Sequence, residues 1–592
     1  MPATQLALFE RPGTVPGERM AGYETDVGGN GINVHALHQE RSREERGAVF
    51  TRPEVVSFML DLAEYRTESD LSRRRVLEPA AGDGAFAVQV VDRMVRSFLG
   101  RGGQPAEAQA QLQDCLVAVE VFAESAAELR VRLATAAKDA GLTAATGASL
   151  ARTWVRVGDF LLTDFTGNFD LVVGNPPYLR QESIPAALLT LYRQRFSTLF
   201  NRADLYVLFF ERGLSLLKVG GKLAFICSDR WMKCAYGKPL RALIAREFNL
   251  DAFVDMVDTP AFTSEVIAYP AITVISRSPA SPRKTLAAFR PALSPNNLQV
   301  LAAGFAVGKP DAILGLYQSD AAAVSSAPWL FDADDTLPLL RDLERRFPVL
   351  EAAGCRVGIG VATGCDRVFI GDYEYLDVEP RRKLRLVMAD CIRSGRLQWG
   401  GQGLVNPFEP DGTLADPQRY PRFAAFLERH AVALKQRNIA KRAGAGWYRT
   451  IDRVWHHLTA TPKLLIPDIK GEPNVVIDAG EFYPHHNLYW VTSEEWGLPE
   501  LQAMLRSSVA KLFVATYSTK MANGFLRFQA QYLRRIRLPR WADVTADQRA
   551  ALRQAVARLD PEAIDAAAFS AYGLDRRSTA ALRRLRDFPK LS

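Results

Sequence analysis

Asn175-Pro-Pro-Tyr178, following the run Phe169-Asp-Leu-Val-Val-Gly174, is the stretch of the chain best equipped for chemistry. The apolar run reads as a buried parallel strand. Gly174 ends it, and Pro176 and Pro177 supply no backbone N–H and lock φ. That geometry holds the Asn175 side chain and the Gly174 and Pro176 carbonyls as a rigid set of acceptors at a strand's carboxyl end. Tyr178 stands beside them as an aromatic platform. Acceptors next to a stacking ring suit a planar group bearing an exocyclic amine, such as adenine. A Pro-rich turn with a core tyrosine is the plain alternative, and the residues upstream weigh against it.

Those residues are mostly acidic. A strand, Arg75-Val-Leu-Glu78, runs into Pro79-Ala80-Ala-Gly82-Asp83-Gly84, and a helix begins near Ala85. Gly82 and Gly84 let the backbone approach a ligand, and the helix end offers free N–H groups. The turn departs from G-x-G-x-x-G, which argues against a dinucleotide. Glu78 and Asp83 suit a cationic ligand instead, such as an ammonium or a sulfonium. Glu120 closes the next strand, Leu116–Glu120, where a carboxylate accepts ribose hydroxyls. Asp159 and Phe160 follow another short apolar segment, the first placed to bond an adenine amino group and the second to pack on the ring.

These groups need a sheet to gather them. Strand-like runs at 75–78, 116–120, 169–173, 222–227, 250–257 and 271–276 alternate with amphipathic stretches at 53–65, 84–99, 123–140 and 204–218. The alternation predicts an α/β fold, a doubly wound, mostly parallel sheet with ligands at the strands' carboxyl ends. Residues 1–45 read as an N-terminal arm, 279–329 as a Pro- and Ser-marked linker, 330–540 as a second mixed α/β domain and 541–592 as a helical tail.

A chain of 592 residues is too long for one core. The net charge of +8 divides unevenly: residues 1–340 sum to −3 and residues 341–592 to +11. A basic C-terminal part suits a polyanion. Six scattered cysteines without a CxxC pair argue against a zinc ribbon or a disulfide framework. Neither a signal pattern nor a membrane-length apolar run is present, so a cytoplasmic protein is expected.

In this order, Glu78-Pro-Ala-Ala-Gly-Asp-Gly84, Glu120, Gly158-Asp-Phe160 and Asn175-Pro-Pro-Tyr178 resemble the γ-class, TaqI-like DNA adenine-N6 methyltransferases of restriction-modification systems. Gly47-Ala-Val-Phe-Thr51 resembles the family's N-terminal cofactor segment, although Arg52 separates Thr51 from Pro53 where a Thr-Pro pair is common. Ala261-Phe262 precedes a strand where the family places a second aromatic against the target base. Gly358–Phe369, Trp447-Tyr448, Pro462–Pro467 and Gln531–Pro539 resemble the family's specificity domain.

The resemblance implies a methyltransferase domain over 46–278, S-adenosylmethionine as methyl donor and double-stranded DNA as substrate. Thr51, Glu78, Pro79, Ala80, Gly82, Asp83, Gly84, Glu120, Asp159 and Phe160 would bind the cofactor. Asn175, Pro176, Pro177 and Tyr178 would be catalytic, with Tyr178 and Phe262 stacking on a flipped-out adenine. Two basic clusters in the expected target-recognition domain are candidate DNA contacts. The first is Lys435, Arg437, Lys441, Arg442, Tyr448 and Arg449; the second is Lys520, Arg527, Arg534 and Arg535. The pairs His456-His457 and His485-His486 lack a cysteine or carboxylate at ligand spacing, so no metal is expected. The expected protein is a monomer, served by a separate cognate endonuclease or defence partner. Protein-glutamine and RNA methyltransferases are the alternatives; the first needs no basic domain of this size.

Overall fold

The computed structural model describes residues 49–587, apart from 166–167, 265–269, 279–283, 320–324, 332–335, 394, 471–473 and 519–525. The proposed arm at 1–45 and Lys520 lie outside the described residues. The chain divides into two compact units between Trp329 and Leu330.

In the first unit, alternating apolar strands and amphipathic helices build one large sheet. Its strands are β1 (Val76–Glu78), β2 (Leu116–Glu120), β3 (Val155–Val157), β4 (Phe169–Gly174), β5 (Leu217–Ser228), β6 (Asn249–Asp255), β7 (Pro270–Ser276), β8 (Thr285–Phe289) and β9 (Tyr317–Ser319). They lie in the order β3-β2-β1-β4-β5-β7-β6-β8-β9. β1 pairs in parallel with both β2 and β4. The strand order therefore reverses beside β1, and a crevice opens there at the carboxyl ends. Beyond β5 the sheet turns mixed, because β7 runs antiparallel to both β5 and β6.

Helices α1 (Pro53–Leu62), α2 (Ala85–Gly100), α3 (Ala123–Asp139) and α4 (Ala144–Trp154) contribute to the core of this unit. α2 buries Phe86, Val90, Val91, Met94 and Val95, the i, i+4 stripe of an amphipathic helix. α5 (Ala186–Arg195) and α6 (Tyr206–Ser215) follow β4, and α6 stops short of the expected 218 because Leu217 already opens β5.

Two boundary expectations are corrected. The stretch 279–329 is more than a linker: β8 pairs in parallel with β6, β9 pairs with β8, and α7 (Pro295–Val307) buries Leu298 and Leu301 in the core of this unit. The Pro- and Ser-marked run covers only the connection into β8. Residues 541–587 are helical as expected, but they belong to the core of the second unit rather than forming a tail. Leu552, Val556, Ile564, Phe569, Tyr572 and Leu582 share one core with Leu340, Met504 and Phe513. Their apolar stripes need burial, and the second unit supplies it.

The second unit also carries two four-stranded sheets. One contains Cys355–Ile359, Lys463–Pro467, Val476–Asp478 and Leu488–Ser493; the other contains Ile370–Asp372, Lys383–Val387, Gln402–Val405 and Tyr483–Pro484.

Candidate active site

The turn after β1 brings the backbone into the crevice. Gly82 and Gly84 sit at φ +52° and +86°, in the left-handed region that glycine tolerates. A Cβ at Gly84 would lie 2.5 Å from Leu129 Cδ1 of α3, so the site admits no side chain without a shift. The turn is then stitched to the next strand tip. The two carboxylate oxygens of Glu120 accept from Gly82 N and Phe122 N, each at 2.9 Å.

Glu78, at the tip of β1, is only 1% exposed, and its Oε2 has no partner among the described residues. Burial pushes its carboxyl well above the ordinary carboxylate range, and the charges of Asp83 and Glu120 push the same way. Such a group is unsatisfied until a donor or cation arrives. Asp83 Oδ1 accepts from Ala85 N at 3.2 Å, and its Oδ2 lies 3.3 Å from Arg132.

Asp159 is held by its own turn, with Leu161 N donating to Oδ1 at 2.9 Å. The Tyr192 hydroxyl, from α5, donates to Oδ2 at 2.6 Å. Tyr192 is a contact the sequence did not announce, since no motif marks the stretch that forms α5. Phe160 is buried, 5.1 Å from Phe209 between ring centroids. One pocket is lined by Thr51, Glu78, Pro79, Ala80, Gly82, Asp83, Glu120, Asp159, Phe160, Asn175 and Pro177. The fold thus gathers nearly all the expected cofactor residues.

Asn175, just past the end of β4, lines this pocket. Its Nδ2 donates to Val49 O at 2.8 Å and lies 3.3 Å from Thr51 Oγ1. These bonds set the amide's orientation, and its Oδ1 is left buried without a partner among the described residues. The Val49–Arg52 segment is in turn anchored to the loop carrying Phe262. Thr51 and Phe262 form an antiparallel bridge, Arg52 N donates to Ala261 O, and Arg52 Nε donates to Phe262 O at 3.0 Å. Arg52, the residue that interrupts the Thr-Pro pair, is therefore part of this anchor.

Tyr178 is half-buried, and its ring meets Phe262 edge-on at 6.2 Å and 81°. Phe262 is only 7% exposed. The two rings do not face each other as parallel plates. Behind Tyr178, Tyr206 lies 6.5 Å away, its hydroxyl 2.7 Å from that of Tyr236, which bonds Asp204 at 3.2 Å. Burial raises the Asp204 carboxyl against the opposing charge of Arg230. Tyr236 carries no motif that reveals this part.

In the second unit the basic clusters separate by use. Tyr448 is 8% exposed with its hydroxyl on Ala415 O, which makes it a core residue rather than a DNA contact. Arg437 donates to Leu434, Thr363 and Trp447 carbonyls and ties the unit's own segments together. Arg527 is ion-paired with Asp468, and Arg534 with Glu351. Arg535 lies over the Tyr517 ring at 4.3 Å, and Arg449 is half-buried. Local charge density could not distinguish these from Lys435, Lys441 and Arg442, which are exposed. The absence of a carboxylate near His485-His486 is also corrected: Asp366 Oδ2 lies 3.2 Å from His485 Nε2 across a separation of 119 residues.

Residues 140–262 match the family described as Eco57I restriction-modification methylase, and residues 422–538 the TaqI-like C-terminal specificity domain. The chain is 50% identical to Type II methyltransferase M.PaeR7I of Pseudomonas aeruginosa, over 93% of this chain and 95% of that protein. It is 49% identical to Type II methyltransferase M.XhoI of Xanthomonas vasicola, over 90% of this chain and 98% of that protein. Its fold is similar to that of the Type IIL restriction-modification enzyme MmeI in complex with DNA, at a TM-score of 0.59 and 14% identity, covering 90% of this chain and 76% of that one. With near-complete coverage at half identity, the chain belongs to the Type II methyltransferases of restriction-modification systems.

Proposed function

We infer that this methyltransferase transfers a methyl group from S-adenosylmethionine to N6 of an adenine flipped out of double-stranded DNA. The observation that carries the reading is the buried Asn175 Oδ1, an acceptor without a donor among the described residues, three positions before the half-buried Tyr178. An exocyclic amine supplies such a donor. Accepting its proton disposes the nitrogen toward a pyramidal shape and directs its lone pair outward, which is catalysis by orientation and electrostatics.

The donor set fits the cofactor. Glu78 offers a buried carboxylate oxygen without a partner among the described residues, in a pocket that Asp83 and Glu120 also line, as a ligand carrying positive charge requires. S-adenosylmethionine, when bound, supplies an electrophilic methyl group. The chain's own residues orient: Tyr192 holds Asp159, the glycine turn admits the ligand, and Val49 with Thr51 holds Asn175.

In this reading the flipped base stacks on Tyr178, with Phe262 beside it. Aromatic stacking of about 1–3 kcal/mol per base is of the size needed to offset unstacking, which costs a few kcal/mol. Since the relatives M.PaeR7I and M.XhoI are named as methyltransferases alone, this reading leaves cleavage to a separate cognate endonuclease.

The reading is tested by expressing the protein, beside Asn175→Ala, in a host devoid of adenine methylation and mapping modified bases by long-read sequencing. N6-methyladenine at one short motif, missing in the control, is the expected outcome. A folded, soluble protein that leaves every adenine unmodified would overturn it.

A further inference from the structure

Asp366 stands at the start of a short helix, Asp366–Phe369, while His485 and His486 follow the strand Tyr483–Pro484. One donor atom from each of the three lies within 4.8 Å of the other two. The backbone sets this meeting firmly. Val361 bridges His485 in parallel, His486 N donates to Val361 O, and Val361 N donates to Pro484 O. A Cβ at Gly360 would stand 2.2 Å from the His485 carbonyl oxygen, so the close approach depends on glycine there.

We propose that Asp366, His485 and His486 bind a first-row divalent transition-metal ion of the Zn2+ class. Imidazole with one carboxylate is a donor set that such ions favour over Mg2+ or Ca2+. The His485 Nε2 to Asp366 Oδ2 distance is 3.2 Å. Two ligands about 2.0–2.1 Å from one tetrahedral ion stand about 3.3 Å apart. His486 is exposed, and one of its ring nitrogens lies within 4.8 Å of both other donor atoms.

The surroundings suit a ligand site. The Thr363 hydroxyl donates to Asp366 Oδ1 and orients the carboxylate, as outer partners of metal ligands do. His485 is 3% exposed, and its Nε2 meets the Asp366 carboxylate. Asp366 and His486 face solvent and give an ion a way in. Three protein ligands leave a fourth position for water. The bound ion clamps the Val361–Asp366 segment to the His485 turn within the second unit.

The test uses untagged full-length protein stripped with a chelator. Zn2+ alone is titrated by calorimetry, and Co2+ is followed by its visible absorption. The expected result is one equivalent per chain, with affinity lowered by at least about 10–100-fold in Asp366→Asn and in His486→Gln. Both positions are exposed, and circular dichroism checks that each variant folds. His457→Gln, at another exposed histidine, and Cys365→Ser, next to the site, retain binding. No binding by the wild type, binding undiminished in Asp366→Asn and His486→Gln, or loss in Cys365→Ser alone would overturn the site.

Discussion

Asn175 Nδ2 donates to the carbonyl of Val49 at 2.8 Å across 126 residues of sequence. One bond thereby determines which end of the amide faces the substrate pocket. It also ties the acceptor loop after β4 to the segment bonded to the Phe262 loop.

Asn175→Ala should lower kcat by at least about 100-fold, the scale of losing one preorganised polar group at a reacting centre. Thr51→Val should cost less, since Val49 O still accepts the stronger bond. Single-turnover methyl transfer separates the two. An Asn175→Ala rate within a few-fold of wild type would remove the amide from the mechanism.

Glu78 makes cofactor affinity depend on pH. Burial raises its carboxyl, so the ionised form that a cationic group needs becomes available only as pH rises. Affinity should therefore increase with pH and binding should release a proton. Calorimetry in buffers of different ionisation enthalpy reads both effects, and Glu78→Gln should abolish the proton release while weakening binding. The stability effect has the opposite sign. A raised carboxyl stabilises the fold below its ordinary range and loses that contribution as pH climbs through the raised value, so Glu78→Gln should raise Tm at neutral pH.

Tyr192→Phe removes the hydroxyl bonded to Asp159 Oδ2 and leaves the ring in place. A hydrogen bond to a charged group is worth about 1.5–3 kcal/mol. Tm should fall and cofactor Kd should rise by roughly tenfold or more, and an unchanged Kd would make Tyr192 a packing residue only.

Among the basic residues, exposure separates two behaviours. Lys441→Ala and Arg442→Ala should weaken DNA binding at all sequences and reduce the salt slope by about 1 each, as lost phosphate contacts do. Arg437→Ala should instead lower Tm, because its guanidinium bonds three carbonyls of its own unit. Titrations at several salt concentrations, paired with thermal melts, check both halves.

Much of the catalytic unit was legible before folding because its chemistry is local. Glu78 through Gly84 is one strand end and one turn, Glu120 ends the next strand, and Asn175-Pro-Pro-Tyr178 carries its own rigidity. Apolar runs and turn residues suffice to place such groups at strand tips.

Other features depended on partners far away in sequence. Nothing near Pro295 or Leu552 says that those stretches bury their stripes in the two cores, so they read as linker and tail. Arg437 and Lys441 look alike until carbonyls close around only one of them. Tyr192 and Asp159, Val49 and Asn175, and Asp366 and His485 meet only through sheet order, helix packing and a loop crossing at Gly360. The sequence by itself determined the α/β class, the acidic turn after the first strand and the rigid Asn175-Pro-Pro-Tyr178 turn, because period, glycine conformation and proline stiffness act over a few residues. The tertiary structure alone decided which amide edge is presented, which cations stay exposed and which histidines gain a carboxylate. Those outcomes rest on long-range packing, where burial and hydrogen-bond satisfaction select among groups that are chemically identical in the unfolded chain.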